Sequence, residues 1–414
     1  MEINFKNNKY IVRKNSSLVF GFISLNLFIF FSSFEALLDL PHILKYVFSV
    51  IAIYSFIKFF RNSPRVKFES ASIRLIHYFF LYTSVFILLS SVRFELFYIQ
   101  EVMAERFFFM PFLIPILFIS VSYDLFFFKR LLYFSYILIS FAIFVEILII
   151  LFFLDISNYV YIVTGVSVLS IAPALLLSVS HLYKKLKYTR LTIIFFILLI
   201  LITAMLGRRG ETIESVFFLF WALLIRITSG GIRSKRKKLI LIFSLFSIAF
   251  FSLLIVNNSK QIYLFERGFS QEGFEESRGE TVENFLADFG TKSNDYLFGR
   301  GLNGTIKKFS HGDNQISRSI EIGYFNILLK GGFSYLIPMM LLFIIAFYKG
   351  YFKSNNDLIK ALSGLILWQI IYMLSFGMAN YATNYIILWI AVAVCLNPSI
   401  RKISNLEIRK MLNS

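Results

Sequence analysis

The sequence predicts an all-α polytopic membrane protein, a bundle of about twelve transmembrane helices. Of its 414 residues, 57% are hydrophobic and only 16% are charged, whereas about a quarter of the residues in an average soluble domain are charged. The mean hydropathy is +0.72. Apolar runs of roughly 18–22 residues recur along the chain, and each is long enough to cross a hydrocarbon core of about 30 Å.

The predicted spans fall into two groups separated by one long hydrophilic segment. We expect an N-terminal bundle of nine spans in residues 1–256, a large loop at 257–331, and three further spans with a tail in residues 332–414. Residues 1–16 are polar and basic and lead into a full-length span, so no cleavable signal peptide is expected. The spans are placed at about 17–34, 41–57, 73–91, 106–123, 131–153, 159–182, 190–207, 211–228, 239–256, 332–348, 358–376 and 383–397.

Basic residues are concentrated in alternate connections between these spans. The net charge is +18, and seven segments on one predicted side carry 28 of the 42 Lys and Arg residues. The positive-inside rule makes that side cytoplasmic, with both termini inside. The basic excess therefore indicates the topology of a multi-pass protein of a bacterial inner membrane, and no nucleic-acid partner is expected. The segments are 6–14, 58–74, 129–130, 184–190, 226–238, 349–360 and 401–410.

The stretch MLGRRGETIE (205–214) faces outward in this topology. Arg208 and Arg209 stand at the end of an apolar run, and Glu211 and Glu214 begin the next span one turn apart. Isolated arginines at a span end usually snorkel to the interface. Positive charge at an outer end opposes the topology rule, however, and charges at the edge of a membrane span mark function by default.

The long loop also faces outward and is nearly neutral. Residues 257–320 hold nine acidic and eight basic residues, and loops of this length are usually functional. The sequence SRGE (277–280) matches a capping box with Ser277 as N-cap, so Arg278 should lie in a first helical turn that favours an anion. The predicted helix places four apolar residues on one face: Val282, Phe285, Leu286 and Phe289.

Three further motifs follow in the loop. The sequence GRGLNG (299–304) fits GxGxxG, but no predicted strand precedes it, so we interpret it as a tight turn that positions Arg300. The alternative is a turn whose N–H groups approach a phosphate. Next comes His311, beside Asp313. The segment 318–332 then predicts a helix at the outer surface, with Arg318 and Glu321 on one face.

The outward-facing arginines are candidates for a diphosphate-binding group. Guanidinium groups bind phosphate oxygens bidentately and stay charged, although each of these arginines alone could form a solvated salt bridge. No DxD motif or His/Asp cluster with metal spacing occurs, so neither a metal nor another cofactor is expected. The candidates are Arg208, Arg209, Arg278, Arg300 and Arg318.

The order of these motifs resembles that of the bacterial O-antigen polymerases (Wzy-type) and of their relatives, the O-antigen ligases. These families show a small-residue–Arg–Gly signature after a middle span, which MLGRRG (205–210) resembles. An Arg in the large periplasmic loop ahead of a glycine turn follows, similar to ESRGETVENF and FGRGLN. The last motif leads to a Gly before the next span, as EIGYFNILLKGGFSYLI (321–337) does.

That last motif separates the two families. Ligases typically read HN-x-YL followed by a Gly about ten residues on. Setting Gly332 on that Gly puts Tyr324 on the Tyr, but Glu321 and Ile322 stand where His–Asn would be. The departure favours a polymerase. Ligase activity would require His311 to substitute from another position in the loop.

The resemblance implies a metal-independent glycosyltransferase. It would transfer a growing glycan from undecaprenyl diphosphate to a new lipid-linked repeat unit at the periplasmic face. Such a reaction needs a positive site for the departing diphosphate and a base for the hydroxyl proton. Arg209 and Arg278 are the preferred residues for the first role and Glu321 is the preferred base, with His311 or Glu211 in reserve.

The expected partners follow from this reaction. They are the undecaprenyl-diphosphate-linked oligosaccharide, membrane lipid and, as a candidate, a chain-length regulator protein. Tyr324 and Phe285 could stack on sugar rings, although packing is their commoner use. The rival class is a transporter or lipid-linked oligosaccharide flippase, which usually shows repeated halves and polar residues at mid-membrane. We find no repeat in this sequence.

Overall fold

The computed structural model of the chain is almost entirely helical, as long apolar segments require when their backbone groups must be satisfied internally. It describes residues 8–38, 43–91, 109–152, 171–182, 187–205, 209–229, 278–289, 293–308, 315–318, 320, 322–375 and 381–413. Within these ranges the first eight α-helices are α1 (Asn8–Leu38), α2 (Ile43–Asn62), α3 (Ala71–Ser90), α4 (Met110–Ile119), α5 (Leu125–Phe152), α6 (Ile171–Ser178), α7 (Lys187–Met205) and α8 (Arg209–Thr228).

The remaining elements begin in the predicted loop. Helices α9 (Arg278–Phe289) and α10 (Ser293–Phe298) precede two short antiparallel strands, β1 (Ile306–Lys308) and β2 (Gln315–Ser317), which pair Lys307 with Ile316. The last helices are α11 (Gly323–Phe352), α12 (Asp357–Ser375), α13 (Thr383–Leu396), α14 (Pro398–Arg401) and α15 (Asn405–Asn413).

Several long apolar helices indicate a membrane-embedded protein. Helices α2, α3 and α11, and the segment Asp357–Leu374 of α12, are long and apolar enough to cross a bilayer. Shorter apolar helices lie at Ser16–Ser32, Met110–Ile119, Thr189–Thr203 and Thr383–Leu396. The predicted span 239–256 and the first half of 159–182 lie outside the described residues. A total of twelve spans therefore stays a prediction.

Helix α13 forms the centre of the bundle. Its residues are buried all round apart from the half-buried Asn384, as expected for a helix that is apolar on every face. The ring of Trp389 stacks on Phe80 of α3 at 5.2 Å. The hydroxyl of Tyr385 donates to the carbonyl of Pro111 in α4 at 2.7 Å.

One end of the bundle gathers the connections that carry the predicted cytoplasmic charges. The carboxylate of Glu69 accepts hydrogen bonds from Lys349 Nζ (2.6 Å) and Arg401 Nη2 (2.7 Å), and the bond from Lys349 holds the pKa of Glu69 below its ordinary value. The Val66 amide donates to the carbonyl of Ser120 at 2.9 Å. These bonds join the connections after α2, α4 and α11 to the C-terminal tail.

The connection after α6 reaches the same end. His181 Nε2 lies 2.9 Å from Asp357 Oδ2, which also accepts from Asn405 Nδ2 at 2.7 Å. The side chain of Asn413 donates to the carbonyl of Leu182 at 3.0 Å. Alternate connections thus lie at one end, as the sequence predicts. That this end is cytoplasmic stays a prediction.

The loop differs from the prediction in three places. The β1–β2 hairpin was not expected. Arg318 lies in a bend after β2, and α11 begins only at Gly323, so the prediction that Arg318 and Glu321 share a helical face is wrong. In α9, Phe285 and Phe289 are buried but Leu286 is 51% exposed, because Leu286 is rotated about 100° from Phe285 around a helix of 3.6 residues per turn.

Candidate functional site

Two of the predicted site segments lie against the same end of α12. The hydroxyl of Tyr324, at the start of α11, donates to the carbonyl of Ile370 at 2.8 Å. Gly323 packs so closely on Met373 that a Cβ on this glycine would lie 3.0 Å from the Met373 side chain. On the same helix end, Tyr372 lies close enough to Glu211 and Glu214 for both carboxylates to act on it electrostatically.

The described part of the RRGE stretch lies at the start of α8, which packs against α7. Helix α7 ends at Met205 and α8 begins at Arg209. The Thr212 hydroxyl donates to the hydroxyl of Thr203 at 3.0 Å, which joins the two helices beside the connection. Arg209 is therefore the first residue of α8, two residues before the predicted start of that span. Arg208 and the side chain of Arg209 lie outside the described residues.

Glu214 and Asn384 are a contact that sequence reasoning missed. Both side chains are half-buried, and Asn384 Nδ2 donates to Glu214 Oε1 in a long hydrogen bond of 3.5 Å. Asn384 lies in the first turn of α13, where it is the one residue that is not buried. A polar residue at the edge of an otherwise apolar span was the signal available in the sequence.

The predicted helix of the SRGE motif is confirmed as α9, which begins at Arg278. Ser277 and the side chain of Arg278 lie outside the described residues. Phe285 is 1% exposed and stacks on Phe325 of α11 with ring centroids 4.7 Å apart. Packing is therefore the role of Phe285, and it holds α9 over the start of α11.

Arg300 is engaged inside the loop. Its Nε donates to Asp295 Oδ2 at 2.7 Å and its Nη1 to Asp288 Oδ2 at 2.5 Å. Further bonds reach the carbonyls of Thr305 (from Nη1, 2.7 Å) and Asp288 (from Nη2, 2.9 Å). Burial alone would lower the pKa of Arg300, but the two carboxylates outweigh it and raise this pKa. In this conformation Arg300 is a structural residue that joins α9, α10 and the turn.

The GRGLNG motif is confirmed as a tight turn. Gly299 and Gly301 have positive φ angles of 69° and 73°, and the Gly304 amide donates to the carbonyl of Gly301 at 2.9 Å. The turn packs on α11, because the amides of Arg300 and Gly301 donate to the carbonyls of Leu329 and Lys330 at 2.7 and 3.1 Å. Its backbone groups therefore bind α11 and hold the turn in place.

The turn packs against a kink in α11. Gly332 adopts φ 60° and ψ −168° inside the helix, a conformation that is essentially restricted to glycine. A Cβ on Gly332 would overlap the backbone carbonyl of Leu297, and a Cβ on Gly299 would lie 2.6 Å from the Gly331 amide. Glycines on both sides thus allow the two backbones to touch.

The side chain of Lys330 holds the turn in place through two hydrogen bonds. It is 5% exposed, and its Nζ donates to the carbonyls of Leu302 (2.7 Å) and Gly304 (2.8 Å). A buried ammonium is costly unless hydrogen bonds satisfy it, so these carbonyls fix both the lysine and the turn. The sequence offered no signal that separated Lys330 from a surface lysine.

Three other predicted residues belong to the later part of the loop sequence. Arg318 is exposed, while Glu321 and His311 lie outside the described residues. The roles of all three stay predictions. Within the described ranges, no three His, Cys, Asp or Glu side chains are grouped as metal ligands would be. Metal independence likewise stays a prediction.

No protein-family model matches the chain, and no curated protein matches its sequence.

Proposed function

We propose that this protein is a surface-polysaccharide polymerase of the O-antigen type. It would transfer a growing glycan from undecaprenyl diphosphate to a lipid-linked repeat unit at the periplasmic face of the bacterial inner membrane. One observation carries the proposal. Glu211 of the RRGE stretch and Tyr324 at the start of α11, whose motifs the resemblance assigns to one site, both lie at the end of α12 that carries Ile370 and Tyr372.

The helix starts support an anion site. Arg209 and Arg278 are the first residues of α8 and α9. A cation at a helix N-terminus is opposed by the helix dipole, at a cost of roughly 0.3–1 kcal/mol. The same position combines a guanidinium with free backbone N–H groups, an arrangement that favours a phosphate group. A departing diphosphate would compensate the unfavourable placement at both helices.

The proposed reaction is a glycosyl transfer. The acceptor hydroxyl oxygen attacks the anomeric carbon of the growing chain, and the bond from this carbon to the diphosphate oxygen breaks. The diphosphate leaves with its polyprenyl carrier, stabilised by Arg209 and Arg278. The acceptor proton passes to a carboxylate, with Glu321 as the preferred base. Glu211 and His311 remain in reserve, and Glu214 joins them because Asn384 orients its carboxylate.

A deletion strain tests the function itself. Loss of a polymerase is expected to leave a single repeat unit on the lipid core, seen as one short band in the surface glycolipid profile. Bare core with accumulated lipid-linked polymer would instead indicate the ligase. Undecorated units trapped on the cytoplasmic side would indicate a flippase. Complementation with the wild-type gene is the control that restores long chains.

Single substitutions test the site. Arg209→Ala, Arg278→Ala and Glu321→Ala are each expected to remove long chains, since each deletes a charge that the transition state needs. Losses of about 10²–10³ in rate are typical when one such stabilising group is removed. The matched control is Lys307→Ala, an exposed cation in the same loop. Long chains in all three variants at normal protein levels would refute the assignment.

A further inference from the structure

The short helix α10 has two chemically different sides. Its Asp295 faces Arg300, and the ring of Tyr296 packs edge-on against Phe289 at 5.0 Å and stacks on Phe333 at 6.3 Å. The next two side chains point away from this packing. Leu297 is 54% exposed and Phe298 is 55% exposed. Two adjacent large apolar side chains are thus presented outward at the edge of the loop.

These side chains continue the outer face of a candidate membrane span. The ring of Phe298 lies 6.4 Å from that of Phe86 in α3, and Phe86 is 49% exposed. Fewer than half of the residues in the most apolar stretch of α3 are buried. Its exposed apolar side chains form a stripe that ends beside α10: Leu75, Tyr78, Phe79, Tyr82, Val85, Phe86 and Leu89.

Helix α11 has a second stripe of exposed apolar residues that also ends beside α10. Its exposed apolar residues recur at helical spacing from Phe333 toward the basic end of the bundle: Phe333, Ile337, Leu341, Ile344 and Tyr348. The backbone of Leu297 touches Gly332, directly before this stripe begins. The exposed apolar surfaces of α3 and α11 are therefore continuous with the exposed apolar side chains of α10.

The length of α3 indicates how deep the exposed apolar residues near α10 lie in the bilayer. Its 20 residues extend over about 30 Å at 1.5 Å per residue, which matches the thickness of a hydrocarbon core. Phe86 is four residues from the end of α3, roughly 6 Å inside the helix terminus by the same rise. A ring that touches Phe86 consequently lies at the hydrocarbon boundary rather than in water.

We propose that α10 is a membrane-interface anchor whose Leu297 and Phe298 insert into the hydrocarbon of the adjacent leaflet. The anchor would hold the glycine turn 299–304 at the bilayer surface, because α10 is joined to this turn through Asp295 and Arg300. The proposal does not depend on the reaction above. If that reaction is correct, the anchor keeps the site at the level of a lipid-linked diphosphate.

Site-directed spin labelling tests the anchor. Cys395 is the single cysteine and is fully buried, so it is replaced by serine before labels are placed at Leu297 or Phe298. The labelled protein is reconstituted in phosphatidylethanolamine–phosphatidylglycerol vesicles, and collision with oxygen is compared with collision with a water-soluble nickel chelate. A label at Tyr82 serves as the lipid reference and one at Lys307 as the water reference.

Labels at 297 and 298 are expected to favour oxygen, near the value of the Tyr82 reference. Collision rates like those of Lys307 would overturn the proposal, and so would protection from both reagents, which would mean that protein covers this face. Phe298→Trp provides a second measurement with less change to the side chain. Its added fluorescence should be quenched by brominated lipid and not by acrylamide, and the reverse result also overturns the anchor.

Discussion

Gly332→Val is expected to remove long polysaccharide chains and to destabilise the long loop between α8 and α11. Gly332 has φ 60° and ψ −168°, and forcing another residue into such a conformation costs about 1–3 kcal/mol. The new Cβ would also overlap the backbone carbonyl of Leu297, which cannot rotate away as a side chain could. The turn should therefore detach from α11, with loss of the bonds from Arg300 and Gly301 to Leu329 and Lys330.

Two measurements check this expectation. Limited proteolysis of the protein in vesicles should cut the variant within residues 293–305 faster than the wild type, and the surface glycolipid profile should lose its long chains. Ile337→Val is the control, since Ile337 is an exposed residue of the same helix one turn beyond the kink. Wild-type proteolysis and full-length chains in Gly332→Val would show that the docked turn is not needed.

Local features of the long loop could be predicted because short sequence signals specify them. The capping box predicted a helix at 277–289, and α9 begins at Arg278. The glycines of GRGLNG predicted a tight turn, since only glycine adopts positive φ without strain. The β1–β2 hairpin was missed because strands of three residues, Ile306–Lys308 and Gln315–Ser317, carry almost no periodicity.

Contacts between distant segments could not be predicted in the same way. Glu214 and Asn384 are 170 positions apart, and only the tertiary fold brings the first turns of α8 and α13 close enough for these side chains to meet. Lys330 in the sequence resembles any lysine at a span end, yet its ammonium is buried against Leu302 and Gly304. Both cases depend on tertiary structure, which single-sequence patterns do not contain.

Arg300 shows why residue type alone misleads about role. The sequence placed it among five arginines for a diphosphate because guanidinium suits phosphate. In the structure its N–H groups are directed at Asp288, Asp295 and Thr305. Replacing Arg300 together with its two carboxylate partners separates this structural role from a role in binding the diphosphate.

Arg300→Met is expected to destabilise the loop strongly. The side chains of Arg300, Asp288 and Asp295 are only 18, 14 and 13% exposed. Removing one partner of a fully buried ion pair costs about 3–5 kcal/mol, because a charge is left without compensation. Partial exposure lowers this figure, and we expect about 2–4 kcal/mol on the same basis. The thermal midpoint of the purified variant should fall accordingly.

The triple variant Arg300→Met, Asp288→Asn, Asp295→Asn separates the two roles. It removes the carboxylates that the single substitution leaves unpaired, so most of the lost stability should return. If Arg300 only holds α9, α10 and the turn together, long chains should return as well. If Arg300 binds the diphosphate, the triple variant should be stable yet still produce no long chains.

We expect recovery of both stability and polymer, because four hydrogen bonds already engage the guanidinium inside the loop. A phosphate would have to displace Asp288 or Asp295 to form a bidentate contact with Arg300. The phosphate loses translational freedom when it binds, whereas the two carboxylates already belong to the same chain and do not. If the triple variant is stable but makes no polymer, Arg300 binds the diphosphate.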